Sequence, residues 1–360
     1  ITATVIGEMN VIDLNNIEKY RENNRIEAKK ATGGLPKSLW ETYSSFANTL
    51  GGIILLGVEE YRDKSLHPVN LLDPDELIEE FWEIANDIQK VSTNILSYDD
   101  VYVQKIEEKH IIVITVPKAK RFDRPVYLDG SIHNSYRRNG EGDYRCTLDQ
   151  MNAMVRDSEI KTQDMNIIEC MTASVFNTDS LHSYRIKMSN VKPNNRLQNL
   201  SDKDFLQAIG AIGVGEDLLF HPTAAGLLMF GKSEFIKKEY PYYCLEYKET
   251  TQDDKHTIIS SNLNSDCENL YDFFIKVFEK ISYDIKLTAN IKSDITPITT
   301  ALQEALANCL INADYYGSNG VVIMKDDESI TISNPGGFRV ELDAARAGGI
   351  SDPRNTAIMR

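Results

Sequence analysis

The sequence predicts a multi-domain α+β protein, and three observations carry that prediction. Segments of helical period and short apolar strands follow one another without a regular alternation of strand and helix. Two strand-like runs between Val101 and Val116 are spaced for a hairpin, and 360 residues exceed what one core comfortably serves.

The first unit is expected over 12–157, a mixed sheet with flanking helices. A short helical stretch at Ile17–Glu22 precedes a strand near Arg25–Lys30 and a loop with Gly33, Gly34 and Pro36. Ser38 and Glu41 have capping-box spacing, and Leu39, Tyr43, Phe46, Ala47 and Leu50 recur at helical intervals, so a helix opens at Ser38 and stops at Gly51–Gly52. The unbroken apolar run Ile53–Val58 reads as a buried strand. Asp73 as cap and Pro74 at the first helical position start a second helix, with Leu77, Phe81, Ile84 and Ile88 facing inward. Pro117 ends the second hairpin strand, and a helix around Leu148–Val155 closes the unit.

Residues 158–199 are polar and rich in Asn and Ser, which marks a linking segment. Over 200–290 a helix capped by Ser201, an apolar segment at Ala224–Phe230 and a strand at Tyr242–Tyr247 suggest a helical, winged-helix-like unit, followed by a packing helix at Leu270–Ile281. Over 291–360, Thr296 and Pro297 start a helix whose apolar stripe runs from Ile298 through Leu302, Ala305, Leu306, Cys309 and Leu310 to Ala313. Glu304, Asn308 and Asn312 lie on a different stripe. Strands at Val321–Met324 and Ile330–Ser333, joined through Asp326 and Asp327, lead into the turn Asn334-Pro335-Gly336-Gly337.

The formal charge of −15 repels a polyanion at long range, so any nucleic-acid surface must be local. Two gatherings of basic residues qualify: Lys118, Lys120, Arg121 and Arg124, and then Arg137 with Arg138. The five cysteines are scattered and never at C-x-x-C spacing, which argues against a disulfide framework and a zinc site and for reduced, buried thiols. His110, His133 and His221 have no metal-ligand spacing, although His133 stands near Arg137 and Arg138. No apolar run approaches the roughly 18 residues of a membrane span, and the chain reads as cytoplasmic.

Glu22, Glu27 and Glu60 are the candidate catalytic and metal-ligating residues. Five helical residues turn a side chain by roughly 140°, and an odd strand offset reverses its face, so Glu22 and Glu27 converge only if Asn23 and Asn24 bend the chain. Three converging carboxylates repel unless a proton or cation compensates, and oxygen ligands suit Mg²⁺ or Mn²⁺. The plainer alternative leaves Glu22 and Glu60 solvated and pairs Glu27 with Lys29, Lys30 or Arg138.

These residues sit within E-N-N-R-I-E-A-K at Glu22–Lys29. With S-S-F-A-N-T-L-G-G-I-I-L-L-G-V-E-E at Ser44–Glu60 and V-P-K-A-K-R-F-D-R-P-V-Y at Val116–Tyr127, the segment from about Asn15 to Asp157 resembles the Schlafen AlbA-2 domain. Schlafen endoribonucleases carry a three-carboxylate metal site, which the resemblance places on Glu22, Glu27 and Glu60; in an endoribonuclease reading of this chain Lys29 would stabilise the phosphate charge. Many bacterial relatives are described as DNA-binding transcriptional regulators. Ala28 replaces the aromatic residue usual after the second carboxylate, and Glu60 stands where the nucleases tend to have Asp.

E-A-L-A-N-C-L-I-N-A-D-Y-Y at Glu304–Tyr316, I-S-N-P-G-G-F at Ile332–Phe338 and G-G-I-S-D-P-R-N at Gly348–Asn355 resemble a divergent ATPase module of the GHKL (Bergerat) type, truncated here. That resemblance implies an α/β sandwich binding ATP, with Asn308 on Mg²⁺, Glu304 as base, and Asn312, Asn334, Gly336 and Gly337 around the nucleotide. Asn334 stands where the better-known members have Asp. It also implies that two copies of the chain could pair. No Walker sequence is present. Three functions follow: a nucleic-acid-binding regulator with a nucleotide-sensing module, preferred because it asks least of the residues; a divalent-metal endoribonuclease; and an assembly scaffold with vestigial sites.

Overall fold

The computed structural model describes residues 13–191, 196–249, 259–260, 267–288, 295–326, 328–340 and 351–359. Ile12, Asp327, Gly348 and Gly349 of the sequence reading lie outside them. The chain is α+β and divides into two compact units, residues 1–160 and 161–360.

In the first unit a 3₁₀ helix at Leu14–Lys19 precedes β1 (Ile26–Lys29), α1 (Ser38–Asn48), β2 (Gly52–Leu56), β3 (Val58–Glu60), β4 (Leu66–Pro68) and α2 (Pro74–Asn86). Then come β5 (Val101–Ile106), β6 (Lys109–Val116), β7 (Tyr127–Leu128), β8 (Ser131–Asn139), β9 (Gly142–Arg145) and α3 (Leu148–Ser158). The central sheet has the order β1-β2-β6-β5, with β1 parallel to β2 and the other pairs antiparallel. Strand β2 is buried at every position because both sheet faces are covered. Its alternate residues go to different cores. Ile54 and Leu56 pack with Leu39, Tyr43 and Phe46 of α1 and Phe81 of α2, whereas Ile53 and Leu55 pack with Leu14, Ile17 and Leu66.

Several local details differ from the sequence reading. The apolar run Ile53–Val58 is broken at Gly57, whose φ of +81° favours glycine; a Cβ there would lie 2.7 Å from Leu71 Cγ. Helix α1 does open at Ser38, but no side chain caps it; the Ser38 hydroxyl instead accepts from Lys29 Nζ at 3.2 Å. Asp73 does cap α2, accepting from Glu76 N, with Pro74 at the helix start. Ile88 lies beyond the end of α2 and is exposed, since the helix stops at Asn86. Cys170 and Cys244 are exposed and Cys267 half-buried, so only Cys146 and Cys309 are the expected buried thiols.

The second unit contains α4 (Thr178–Val191), α5 (Asp202–Ala208), the hairpin β10 (Ile212–Val214) and β11 (Phe220–Pro222), α6 (Ala224–Phe230) and α7 (Ser233–Glu239). Part of the polar segment 158–199 is thus helix α4, whose face packs toward this unit's core through Leu181 and Tyr184. Strands β12 (Leu245–Glu249), β13 (Ile259–Ser260), β14 (Val321–Lys325) and β15 (Ile330–Ser333) form one sheet of order β13-β12-β14-β15. The strand expected in a winged-helix-like unit is β12, and it runs parallel to β14. Helices Leu270–Thr288 and Ile295–Asn312 share a core with that sheet, from Phe273, Val277 and Ile281 to Leu306, Leu310, Val321 and Ile323. Of the apolar stripe on the last helix, Leu302, Leu306, Cys309, Leu310 and Ala313 are buried, while Ile298 and Ala305 are exposed. Among the described residues no helix is long and apolar enough to cross a membrane.

Candidate functional site

The chain between Glu22 and Glu27 bends as the two asparagines predict. Asn23 N donates to Ile26 O at 3.1 Å, and Arg25 N donates to Asn23 Oδ1 at 2.7 Å, so a tight turn brings the chain into β1. Glu22 lies past the end of the 3₁₀ helix, not on its last turn, and its Oε1 accepts from Ala28 N at 3.0 Å. Burial raises its pKa above the ordinary value, and the charges of Glu27 and Glu60 push it the same way. Glu22 therefore holds a proton more readily than a solvated glutamate.

Glu27 is engaged on both oxygens. Oε1 accepts from Lys29 Nζ at 2.9 Å and Oε2 from Arg138 Nη2 at 2.7 Å. The Arg138 side chain is 0% exposed and donates on every side: Nε and Nη2 to Asn23 O, Nη2 also to Ile26 O, and Nη1 to Asp143 Oδ1 at 3.0 Å. Asp143 in turn accepts from Ser45 Oγ, and from Thr42 Oγ1 at 2.7 Å. One guanidinium thus ties β1, the Asn23 turn and the β8–β9 hairpin together, and α1 joins through its two hydroxyls. Arg138 was a candidate for contact with nucleic acid; full burial between two carboxylates removes it from that role.

Glu60, at the end of β3, has Oε2 3.3 Å from Lys64 Nζ, while its Oε1 is buried without a hydrogen-bond partner. Glu27 and Glu60 each lie near enough to act on Glu22 electrostatically. As placed, however, they do not fit a divalent metal. Among the described residues no three His, Cys, Asp or Glu side chains are grouped to hold one, and Glu27 already spends both oxygens on Lys29 and Arg138.

Thr42, Ser45 and Asp143 escaped sequence reasoning. A signal exists: Thr42, Ser44 and Ser45 are polar residues on the buried side of an amphipathic helix, and buried hydroxyls demand partners. Ser44 and Asn48 find theirs locally in space. Asn48 Nδ2 donates to Val126 O and Tyr136 O, and its Oδ1 accepts from Val126 N at 2.8 Å. Its role is structural: it secures β8 and the approach to β7.

The basic loop between β6 and β7 is pinned at two points. Ala119 N donates to Ala47 O at 2.8 Å, and Arg121 Nη1 donates to Asp157 O and Glu159 O at the end of α3. The Arg121 guanidinium also lies 3.8 Å from the ring centroid of Phe122, which is exposed beside exposed Lys120. Lys118, Arg124 and Arg137 are half-buried.

In the second unit Glu304 and Asn308 are exposed on their helix, and Asn312 Nδ2 donates to Asn308 O at 2.9 Å. The Asn334–Gly337 turn closes on protein. Asn334 Nδ2 donates to Pro335 O, and Gly336 has φ +103° with Arg354 Nη1 2.3 Å from where a Cβ would sit. Arg354 donates to Asn312 O and Gly337 O, and Asn355 Nδ2 to Ile311 O and Ala313 O. Arg354 and Asn355 thereby satisfy Asn312 O and Ile311 O, the last two carbonyls of the helix Ile295–Asn312. The close approach at Gly336 serves Arg354.

Comparison with known proteins bears on the first unit. Residues 22–147 match the family model described as Schlafen, AlbA_2, and residues 152–246 match a domain of unknown function, DUF8451. The second match includes the whole of the polar segment 158–199. No curated protein matches the chain. Among solved structures, the DIP2311 protein of Corynebacterium diphtheriae aligns with 98% of this chain at 15% identity and a TM-score of 0.37. The chain spans only 58% of the length of that protein. The N-terminal domain of a Nitrosomonas europaea protein described as ATP-dependent DNA helicase RecG-related aligns at 30% identity, over 38% of this chain and 91% of that one, with a TM-score of 0.28. Residues 22–147, which hold Glu22, Glu27, Glu60 and Arg138, belong to the Schlafen AlbA_2 family.

Proposed function

We propose that the first unit is a nucleic-acid-binding module that holds its target without cutting it, consistent with a regulatory role. The family match supports the nucleic-acid reading, and the arrangement at Glu27 carries the rest of it. Glu27 is neutralised by two cations of the protein itself, so no charge deficit at this carboxylate calls for a metal. Contact with phosphate falls to the pinned loop, where exposed Lys120 and Phe122 pair a cation with a stacking ring. The loop gathers Lys118, Lys120, Arg121 and Arg124 around a lone Asp123, a local positive surface on an acidic chain.

Fluorescence polarisation with labelled RNA, single-stranded DNA and duplex DNA tests this. Lys120→Glu is expected to weaken binding roughly tenfold at low salt, since it removes one phosphate contact and adds a repulsive charge. Equal affinity of the variant and the parent chain for all three probes would remove the loop from the interface.

One observation favours a second reading, a divalent-metal endoribonuclease using Glu22, Glu27, Glu60 and Lys29. Glu60 Oε1 is buried without a partner in a site where Glu22 is already pushed toward its protonated form. Mg²⁺ or Mn²⁺ would supply the partner that Glu60 Oε1 lacks. Nucleotide sensing through Glu304, Asn308 and Gly336, and pairing of two copies, rest on the sequence resemblance of the second unit.

A further inference from the structure

Helix α2 carries Asp75, Glu76, Glu79, Glu80 and Glu83 and no lysine or arginine. On one side of it lies a groove of about 610 Å³ whose wall includes Glu79, Trp82, Glu83, Asn86, Asn94 and Tyr98. The Trp82 and Tyr98 rings are nearly parallel, 4° apart in plane with centroids 6.0 Å apart, yet Tyr98 is 81% exposed. Tyr98 thus presents a wide aromatic face to solvent beside the half-buried Trp82.

The groove is held in shape by the protein's own contacts. Trp82 meets Phe81 edge to face at 5.6 Å. Asn86 Nδ2 donates to Trp82 O, and Asn94 Nδ2 to Asn86 Oδ1, both at 2.9 Å. Tyr98 opens a short 3₁₀ turn fixed by two bonds, Ser97 N and Ser97 Oγ both donating to Asp100 Oδ2. Preorganised aromatic faces flanked by carboxylates attract a cation twice over, through the ring quadrupole and through charge. The same carboxylates repel a polyanion, which separates this surface from the basic loop.

We propose that this groove docks a basic peptide segment of a partner protein, an arginine side chain lying against Trp82 and Tyr98 with Glu79 and Glu83 pairing its charge. Arginine fits better than lysine because its planar guanidinium stacks on rings while donating at its edge. The inference does not depend on nucleic-acid binding by the first unit.

The full chain carrying Trp40→Phe leaves Trp82 as the sole tryptophan, since the sequence has two. Titration with an arginine-rich peptide is expected to change Trp82 emission saturably. In parallel, polarisation of the labelled peptide is expected to report roughly tenfold weaker binding to Glu79→Gln/Glu83→Gln, and weaker binding in high salt. Both glutamates are exposed, so the fold survives the double change; Tyr98→Ala supplies a second variant that should also weaken the peptide. No saturation up to about 1 mM peptide, undiminished binding by the charge-neutral variant, or an equal response to a single-stranded DNA oligomer would each overturn the proposal.

Discussion

Arg138→Met is expected to destabilise the first unit by about 3–5 kcal/mol, the usual consequence of removing one partner from a buried ion network. The substitution keeps most of the side-chain volume but removes all five N–H donors. Glu27 is left with Lys29 alone, Asp143 with the Ser45 and Thr42 hydroxyls, and Asn23 O without the donor that holds the turn. Urea unfolding followed by circular dichroism measures the loss. Adding Glu27→Gln to Arg138→Met should recover part of it, because the second change removes the carboxylate that the first one strands, and groups in direct contact couple by about 0.5–3 kcal/mol. A cost under about 1 kcal/mol, as for an exposed pair, would show that the guanidinium is not the tie described here.

Gly226→Ala is expected to cost about 3 kcal/mol in the second unit. Gly226 lies inside the buried helix α6, and a Cβ there would sit 2.1 Å from Ala211 O and 2.7 Å from Ala211 C and Cα. The obstacle is backbone, so no side chain can swing aside. Ala211 O is further fixed by accepting from Thr223 N at 2.9 Å. Either α6 shifts away from the strand entrance or the segment before β10 moves, and both strain a filled core. The thermal midpoint should fall by roughly 6–12 °C for a unit of this size. Gly33→Ala is the matched control: nothing lies within 4 Å of its Cβ position, and its effect should stay within about 0.5 kcal/mol.

What the residues announced in advance was mostly local. Asp73-Pro74 marks a helix start, two closely spaced strand-like runs mark the 101–116 hairpin, and paired asparagines mark a bend; each acts through backbone chemistry a few residues wide, and the structure shows all three. The pairing of β12 with β14 joins Leu245 to Val321, and no local pattern distinguishes that partner from a wing hairpin. Ser38 illustrates a subtler limit. Its spacing to Glu41 is that of a capping box, but its hydroxyl is taken up by Lys29, which the same spacing does not describe.

The site was legible in the same proportion. The bend at Asn23 was expected, and Arg138 was already among the alternatives for Glu27. Asp143 was not, because its link to Ser45 spans 98 residues of chain. Without Asp143 there was no reason to bury Arg138, and the arginine was grouped with Arg137 as a surface cation. The two are adjacent on β8 and so face opposite ways: Arg138 points into the network, while Arg137 is half-buried on the other side.

The most direct test of the central claim is a gel experiment. The full chain is incubated with labelled transfer RNA, single-stranded DNA and duplex DNA, with and without Mn²⁺, beside Glu27→Ala. Internal neutralisation of Glu27 by Arg138 and Lys29 predicts retarded but intact nucleic acid that is the same length with and without the metal. Mn²⁺-dependent cleavage that disappears in Glu27→Ala would contradict it and establish the carboxylates as a metal-dependent nuclease site.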